Sequence, residues 1–211
     1  MSASSPSTPP TRIAAVVLAA GLSSRMGSNK ALLPLGDKPL LVRVIETILA
    51  AGRIEPVVVV TGHEADRIGE ILRPMAVHPV HNPAYATGGM LSSVQTGVAA
   101  VIDKCDGFFV VLGDQPLVRP QTLARMCNAW ATSRPRVLLP THNTKHGHPI
   151  LLSCDGAGEI LSLSPQRDTL KTYTSKLTEH TLELAIDDFG VLADIDTPAD
   201  YQAAVDRTAR E

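Results

Sequence analysis

Apolar residues follow two alternating rhythms along this chain. Short runs rich in Val and Ile alternate with longer stretches in which apolar residues return every three or four positions. The first rhythm is that of buried strands, and the second is that of amphipathic helices. Strands are expected at 13–18, 56–60, 77–80, 107–112, 137–140, 147–153 and 181–186. Helices are expected at 39–51, 65–72, 90–102, 122–131, 158–163, 168–175 and 198–207. Pro39 suits a first helical turn, Gly52 a helix end, and Thr197 the cap of the last helix.

Short strands separated by helices of about ten residues build βαβ units, and these imply an α/β fold with a mostly parallel sheet. Ligands in such sheets bind beyond the carboxyl ends of the strands. The informative loops are therefore those after Leu18, Val60, Val80, Leu112 and Pro140. Residues 1–11 are Ser/Pro-rich and uncharged, lack the basic start of a signal peptide, and read as a disordered tail. Residues 12–211 read as one domain without repeats or an interior linker.

Composition excludes several classes. A net charge of −2 is not that of a non-specific nucleic-acid surface, and the few aromatic residues offer no stacking platform. No apolar run approaches the roughly 20 residues of a membrane span. Cys105, Cys127 and Cys154 are odd in number and far apart in the chain, which fits a reducing cytoplasm better than a disulfide framework or a zinc ribbon.

The first strand spills into Ala19-Ala20-Gly21, then Ser24-Arg25-Met26-Gly27, then Lys30. Small residues let backbone N–H groups approach an anion, and the two cations neutralise it. The spacing fits neither G-x-x-x-x-G-K-[ST] nor G-x-G-x-x-G. Gly113-Asp114-Gln115-Pro116 ends the central strand, where an aspartate can hold Mg²⁺ or can simply belong to a turn. Asp194 and Asp196 precede the last helix and can face one way on an extended segment. Either could complete the Mg²⁺ site, although Asp196 could instead cap the helix, and Asp200 favours its dipole. Gly88-Gly89-Met90-Leu91-Ser92-Ser93 opens a helix and reads as an N-terminus or a close approach to a nucleoside. His146 and His148 share an H-x-H spacing, but a polar loop touching substrate explains them better than a metal site.

In order along the chain, these pieces together with Thr61-Gly62, Gly97 and Gly147-His148-Pro149 resemble the molybdenum cofactor nucleotidyltransferase family, nearest to its cytidylyltransferases. The resemblance covers residue 13 to about 205. It implies a three-layer α/β/α sandwich with a Rossmann-like sheet, of the nucleotide-diphospho-sugar transferase type. It implies that Leu18, Ala19, Ala20 and Gly21 surround base and ribose, with Thr61, Gly62, Gly88, Ser92 and Ser93 helping to enclose the base. Arg25 and Lys30 would hold the triphosphate, Asp114 with Asp194 or Asp196 would hold Mg²⁺, and His148 would face the acceptor. CTP is the expected donor, because Ala20 stands where guanine-using members carry a second glycine. Molybdopterin is the expected acceptor, and a molybdoenzyme a possible partner.

One segment departs from the family. Where its cytidylyltransferases carry Gly-Asp-x-Gly-Ala-Arg, this chain reads Ser164-Pro165-Gln166-Arg167-Asp168, which keeps Arg167 for the acceptor but loses the glycines. Three rival readings follow: the same chemistry with GTP or on a sugar or polyol phosphate, a non-catalytic nucleotide-binding partner of a molybdoenzyme, and an NAD-binding domain. The last lacks both its glycine fingerprint and an acidic end to the second strand.

Overall fold

The computed structural model describes residues 11–23, 26 and 28–208. The expected 1–11 tail therefore lies almost wholly outside the described residues, as does Arg25. The strands are β1 (Ile13–Ala19), β2 (Pro34–Leu35), β3 (Lys38–Pro39), β4 (Ile54–Thr61), β5 (His78–His81), β6 (Gly107–Leu112), β7 (Val137–His142), β8 (Lys145–His146), β9 (Ile150–Ser153) and β10 (Thr181–Ala185). The helices are α1 (Leu40–Ala51), α2 (Ala65–Leu72), α3 (Gly89–Val101), α4 (Pro120–Ser133), α5 (Ala157–Leu161), α6 (Leu170–Thr174) and α7 (Pro198–Thr208).

The main sheet runs β10-β7-β9-β6-β1-β4-β5, with β8 paired to β7. Strand β1 pairs in parallel with β4 and β6, and β4 with β5. Strand β9 is antiparallel to both β6 and β7. The connection from β7 to β9 is too short for the helical crossover that a parallel pair requires, so the chain must turn back on itself.

Alternation along β1 divides the core into two layers. Ala15 and Val17 pack with α1, α2 and α4 through Ile45, Ile68 and Met126, whereas Ala14 and Val16 pack with α3, α5 and α6 through Val94, Ile160 and Tyr173. The result is the expected three-layer α/β/α sandwich. Trp130 is fully buried in the first layer and contributes about 1.5–3 kcal/mol by leaving water. In the second layer α3 lies directly on the sheet, because a Cβ at Gly97 would fall 2.1 Å from Val16 Cγ1.

The structure corrects several boundaries. The β2–β3 hairpin is too short to leave a periodic signal, and it takes Pro39 out of the helix that follows it. The strand expected at 147–153 begins only at Ile150, because Gly147 donates to Pro140 O and His148 donates to Val191 O at its approach. Thr197 and Asp200 form a reciprocal cap on α7, with Thr197 N donating to Asp200 Oδ2 at 2.8 Å and Asp200 N donating to Thr197 Oγ1 at 3.2 Å. Asp200 thus does more than favour the dipole. Two cysteines far apart in sequence meet in space, with Cys105 and Cys154 Sγ hydrogen-bonded at 3.1 Å as free thiols. No helix among the described residues is long and apolar enough to cross a membrane.

Candidate active site

A cavity of about 520 Å³ opens beyond the carboxyl ends of β1 and β6. Its wall includes Leu18, Ala19, Ala20 and Gly21, and its floor includes Lys30, Asp114, Asp194 and Asp196. The loop after Leu112 lies close against β1. Gly113 N donates to Leu18 O at 3.0 Å, and a Cβ at Gly113 would stand 2.7 Å from that same oxygen. A glycine here lets the chain turn with Asp114 at the cavity edge. Ile195 N donates to Asp114 O at 3.1 Å, and buried Ile195 packs with Leu35, Leu40 and Ala204. The 194–196 segment is thereby anchored with a carboxylate on either side of an apolar peg.

Lys30 begins a short 3₁₀ turn capped by Asn29, whose Oδ1 accepts from Ala31 N. Its backbone N donates to Ser23 Oγ, which closes the loop that leaves β1. Its ammonium donates to Asp114 Oδ2 at 2.6 Å and to Asp196 Oδ1 at 2.8 Å. Burial pulls the Lys30 pKa down, but the bonds to Asp114 and Asp196 outweigh it and hold it above the usual lysine value. The ammonium therefore stays charged at neutral pH.

Asp194 accepts a hydrogen bond from Gln115 Nε2. Burial raises its pKa against that bond, and the neighbouring charge of Asp114 adds to the rise. His148 stands nearby, with its pKa lowered by burial against the pull of Asp194 and Asp114. Two buried polar atoms at this end, Gln115 Oε1 and His148 Nδ1, lack a hydrogen-bond partner among the described residues.

The structure gathers Leu18, Ala19, Ala20, Gly21, Lys30, Ser93, Asp114, Asp194 and Asp196 around one cavity. Thr61, Gly62, Gly88 and Ser92 lie behind its wall. Thr61 is buried at the end of β4, and Gly62 backs Ala20 and Tyr85. Ser92 Oγ accepts from Asn82 Nδ2, and Gly88 leaves no room for a Cβ beside Ser92. Arg167 is exposed in the turn before α6 and is not among the cavity residues. His146 and His148 diverge: His146 Nε2 meets Glu183 Oε1 on the surface, whereas His148 turns inward. Asp196 binds Lys30, and Thr197 caps the helix in its place.

Sequence reasoning passed over Asn29, Asn82, Tyr85 and Gln115. Asn29 Nδ2 donates to His63 O, tying the phosphate-type loop to the end of β4. Asn82, a turn former in the sequence, sends Nδ2 to both Ser92 Oγ and Ser93 Oγ. Only the neighbour of Gln115, Asp114, had drawn notice to that stretch.

Among the described residues no three metal-binding side chains are clustered closely enough to hold an ion by themselves. The donor set nevertheless fits Mg²⁺, which takes hard oxygen ligands and usually only one or two carboxylates, filling the remaining positions with water and substrate phosphate. Three carboxylates line this cavity, and two of them share a lysine.

Residues 15–181 match the family model described as the MobA-like NTP transferase domain. The chain is 31% identical over 195 residues to the molybdenum cofactor cytidylyltransferase of Escherichia coli, covering 91% of this chain and 95% of that one. It is 32% identical over 135 residues to a probable molybdenum cofactor guanylyltransferase of Thermococcus sibiricus, covering 64% and 65%. A solved nucleotidyl transferase from Methanothermobacter superposes with a TM-score of 0.78 at 26% identity, covering 94% of this chain and 98% of that one.

Proposed function

The chain belongs to the MobA-like NTP transferases, and from that premise we propose that it transfers CMP from CTP to a phosphorylated acceptor of molybdopterin type, with Mg²⁺ and release of pyrophosphate. The observation that carries this reading is the Lys30 ammonium held between Asp114 and Asp196 beneath the wall of Leu18 to Gly21. In the reaction an acceptor phosphate oxygen forms a bond to the α-phosphorus, and the bond from that phosphorus to the bridging oxygen of pyrophosphate breaks. No protein nucleophile is required, so positioning and charge neutralisation supply the rate.

Lys30 and Arg25 would meet the triphosphate. Asp114 with Asp194 or Asp196 would hold Mg²⁺, which would offset phosphate charge. Ala19, Ala20 and Gly21 would pass close to ribose and base, and the Ala20 methyl would narrow the wall against a purine. Thr61, Gly62, Gly88, Ser92 and Ser93 would shape that wall from behind. His148, kept neutral by burial and with Nδ1 unpartnered among the described residues, would serve the acceptor. Arg167 would have to reach the acceptor from the surface. The cytoplasm, with a molybdoenzyme as recipient of the product, is the expected setting.

The test is pyrophosphate release from each nucleoside triphosphate with Mg²⁺ and molybdenum cofactor, beside a screen of sugar and polyol phosphates. Release with CTP and the molybdenum acceptor, lost in Asp114→Asn, supports the proposal. Release with GTP in place of CTP, or with a sugar phosphate alone, overturns the donor or acceptor assignment. Nucleotide binding without pyrophosphate release from any acceptor overturns transfer itself.

A further inference from the structure

The cavity has two unlike ends. Strand order β6-β1-β4-β5 places Asp114 and Lys30 at the β6 end. Three strand spacings away, roughly 14 Å at about 4.8 Å each, the wall is made by the loop after β5. Among the described residues that line the cavity, Tyr85 in this loop carries the only aromatic ring. Resting on the nucleotide reading above, we propose that Tyr85 gauges the size of the base, and that it admits one ring and blocks a second.

The ring is seated on backbone. A Cβ at Gly62 would fall 2.5 Å from Tyr85 Cβ and 2.6 Å from its Cγ, and 2.8 Å from Ala20 O. Tyr85, Gly62 and Ala20 are thus in close contact, and the ring cannot retreat towards the sheet. Nor can the loop swing away. Asn82 is buried, its N donates to Thr61 O at 2.8 Å, and its Nδ2 donates to Ser92 and Ser93. Its Oδ1 accepts from Ala84 N at 2.9 Å, and its O accepts from Tyr85 N at 3.2 Å. One residue thereby clamps the turn that carries the ring, to β4 through its backbone N–H and to α3 through its side chain. Asn82 is a positioning residue, and Tyr85 is the surface that meets the base.

A nucleoside triphosphate laid along this cavity would place its phosphates at Lys30 and at the Mg²⁺ that the carboxylates would hold, and its base towards the ring. A cytosine ends where a purine would extend by a further fused ring, into the space that Tyr85 holds. The phenol face offers apolar contact without choosing among hydrogen-bond patterns, so the discrimination is one of size.

The experiment is titration calorimetry of CTP and GTP, with Mg²⁺, on the wild type and on Tyr85→Ala, Tyr85→Leu and Tyr85→Phe, after a melting check of each. Removing the ring should lower the ratio of GTP to CTP dissociation constants by about tenfold or more, mainly through tighter GTP binding, whereas Tyr85→Phe should keep the ratio within about twofold. Tyr85→Leu, which keeps apolar bulk, should shift it in the same direction and carries the test if the alanine variant does not fold. An unchanged ratio in both Tyr85→Ala and Tyr85→Leu overturns the gauge and leaves the cytidylyltransferase reading standing. Tighter GTP than CTP binding in the wild type overturns the gauge and the choice of CTP. Absence of binding by any nucleoside triphosphate overturns the nucleotide reading together with the gauge.

Discussion

The sheet differs on the two sides of β6. Towards β5 it is wholly parallel, and the cavity wall from Leu18 to Gly21 arises at the carboxyl end of β1. Towards β10 it is mixed, with β9 reversed between β6 and β7, and the segment from Gly147 to Pro149 is wedged against Val191. The parallel side holds its loops over a cavity by strand register. The mixed side uses irregular segments pinned by backbone hydrogen bonds, and it holds buried polar atoms such as His148 Nδ1 without a hydrogen-bond partner among the described residues. On the proposed reading, the parallel half would take the donor and the mixed half the acceptor.

The sharpest test of this division is at the charged floor. Lys30→Met and Asp114→Asn should each lower pyrophosphate release by about 10²–10³-fold in a steady-state assay, because each removes charge compensation where charge develops. Loss confined to acceptor affinity would place these residues on the other side. Next in size is packing. Gly97→Ala drives a Cβ into Val16, and Gly147→Ala drives one to 2.3 Å from Val191 O. Each should cost about 1–3 kcal/mol in urea unfolding, and only Gly97→Ala should also weaken CTP binding.

His148→Gln should raise the KM for the acceptor by about tenfold, as expected for loss of one directed polar contact, and leave the CTP dissociation constant unchanged. A smaller effect concerns pH. Burial lowers the His148 pKa from 6.5, so the unfolded chain takes up this proton more readily than the folded one. The stability it contributes is full above pH 6.5 and falls as pH drops below that value towards the folded pKa. Thermal melting between pH 7 and 5 should be less steeply pH-dependent in His148→Gln than in the wild type. Last, Arg167→Ala should change stability by no more than about 0.5 kcal/mol, as an exposed substitution, and calorimetry should find CTP binding unaltered.

What the sequence revealed follows the same division. Continuous apolar runs and helical periods located β1, β4, β6, α1 and α3 to within a few residues, because burial on both sheet faces leaves no choice of residue type. The lysine and the three aspartates could be picked out because they are charged residues in the loops after β1 and β6 and in the segment before α7. Tyr85, Asn82 and Gln115 were not, since their partners lie ten or more residues away and no local spacing encodes a contact. Arg167 is exposed and outside the cavity, because the course of the turn that carries it is not encoded by its residue types. His146 and His148 share a spacing but not a direction, because the chain leaves the strand geometry between them and Ile150.

The anchoring of Ile195 on Asp114 has a consequence in time. Residues 194–196 follow every strand of the sheet in chain order. During synthesis the wall from Leu18 to Gly21, the clamp at Asn82 and Asp114 itself all leave the ribosome before the two carboxylates that complete the floor. A nascent chain halted after β10 holds Lys30 with one carboxylate partner from the sheet, and the second arrives only when the peg at Ile195 docks. Assembly of the charged floor therefore waits until every strand of the sheet has been made, and it is coupled to the seating of α7 through the cluster of Leu35, Leu40 and Ala204.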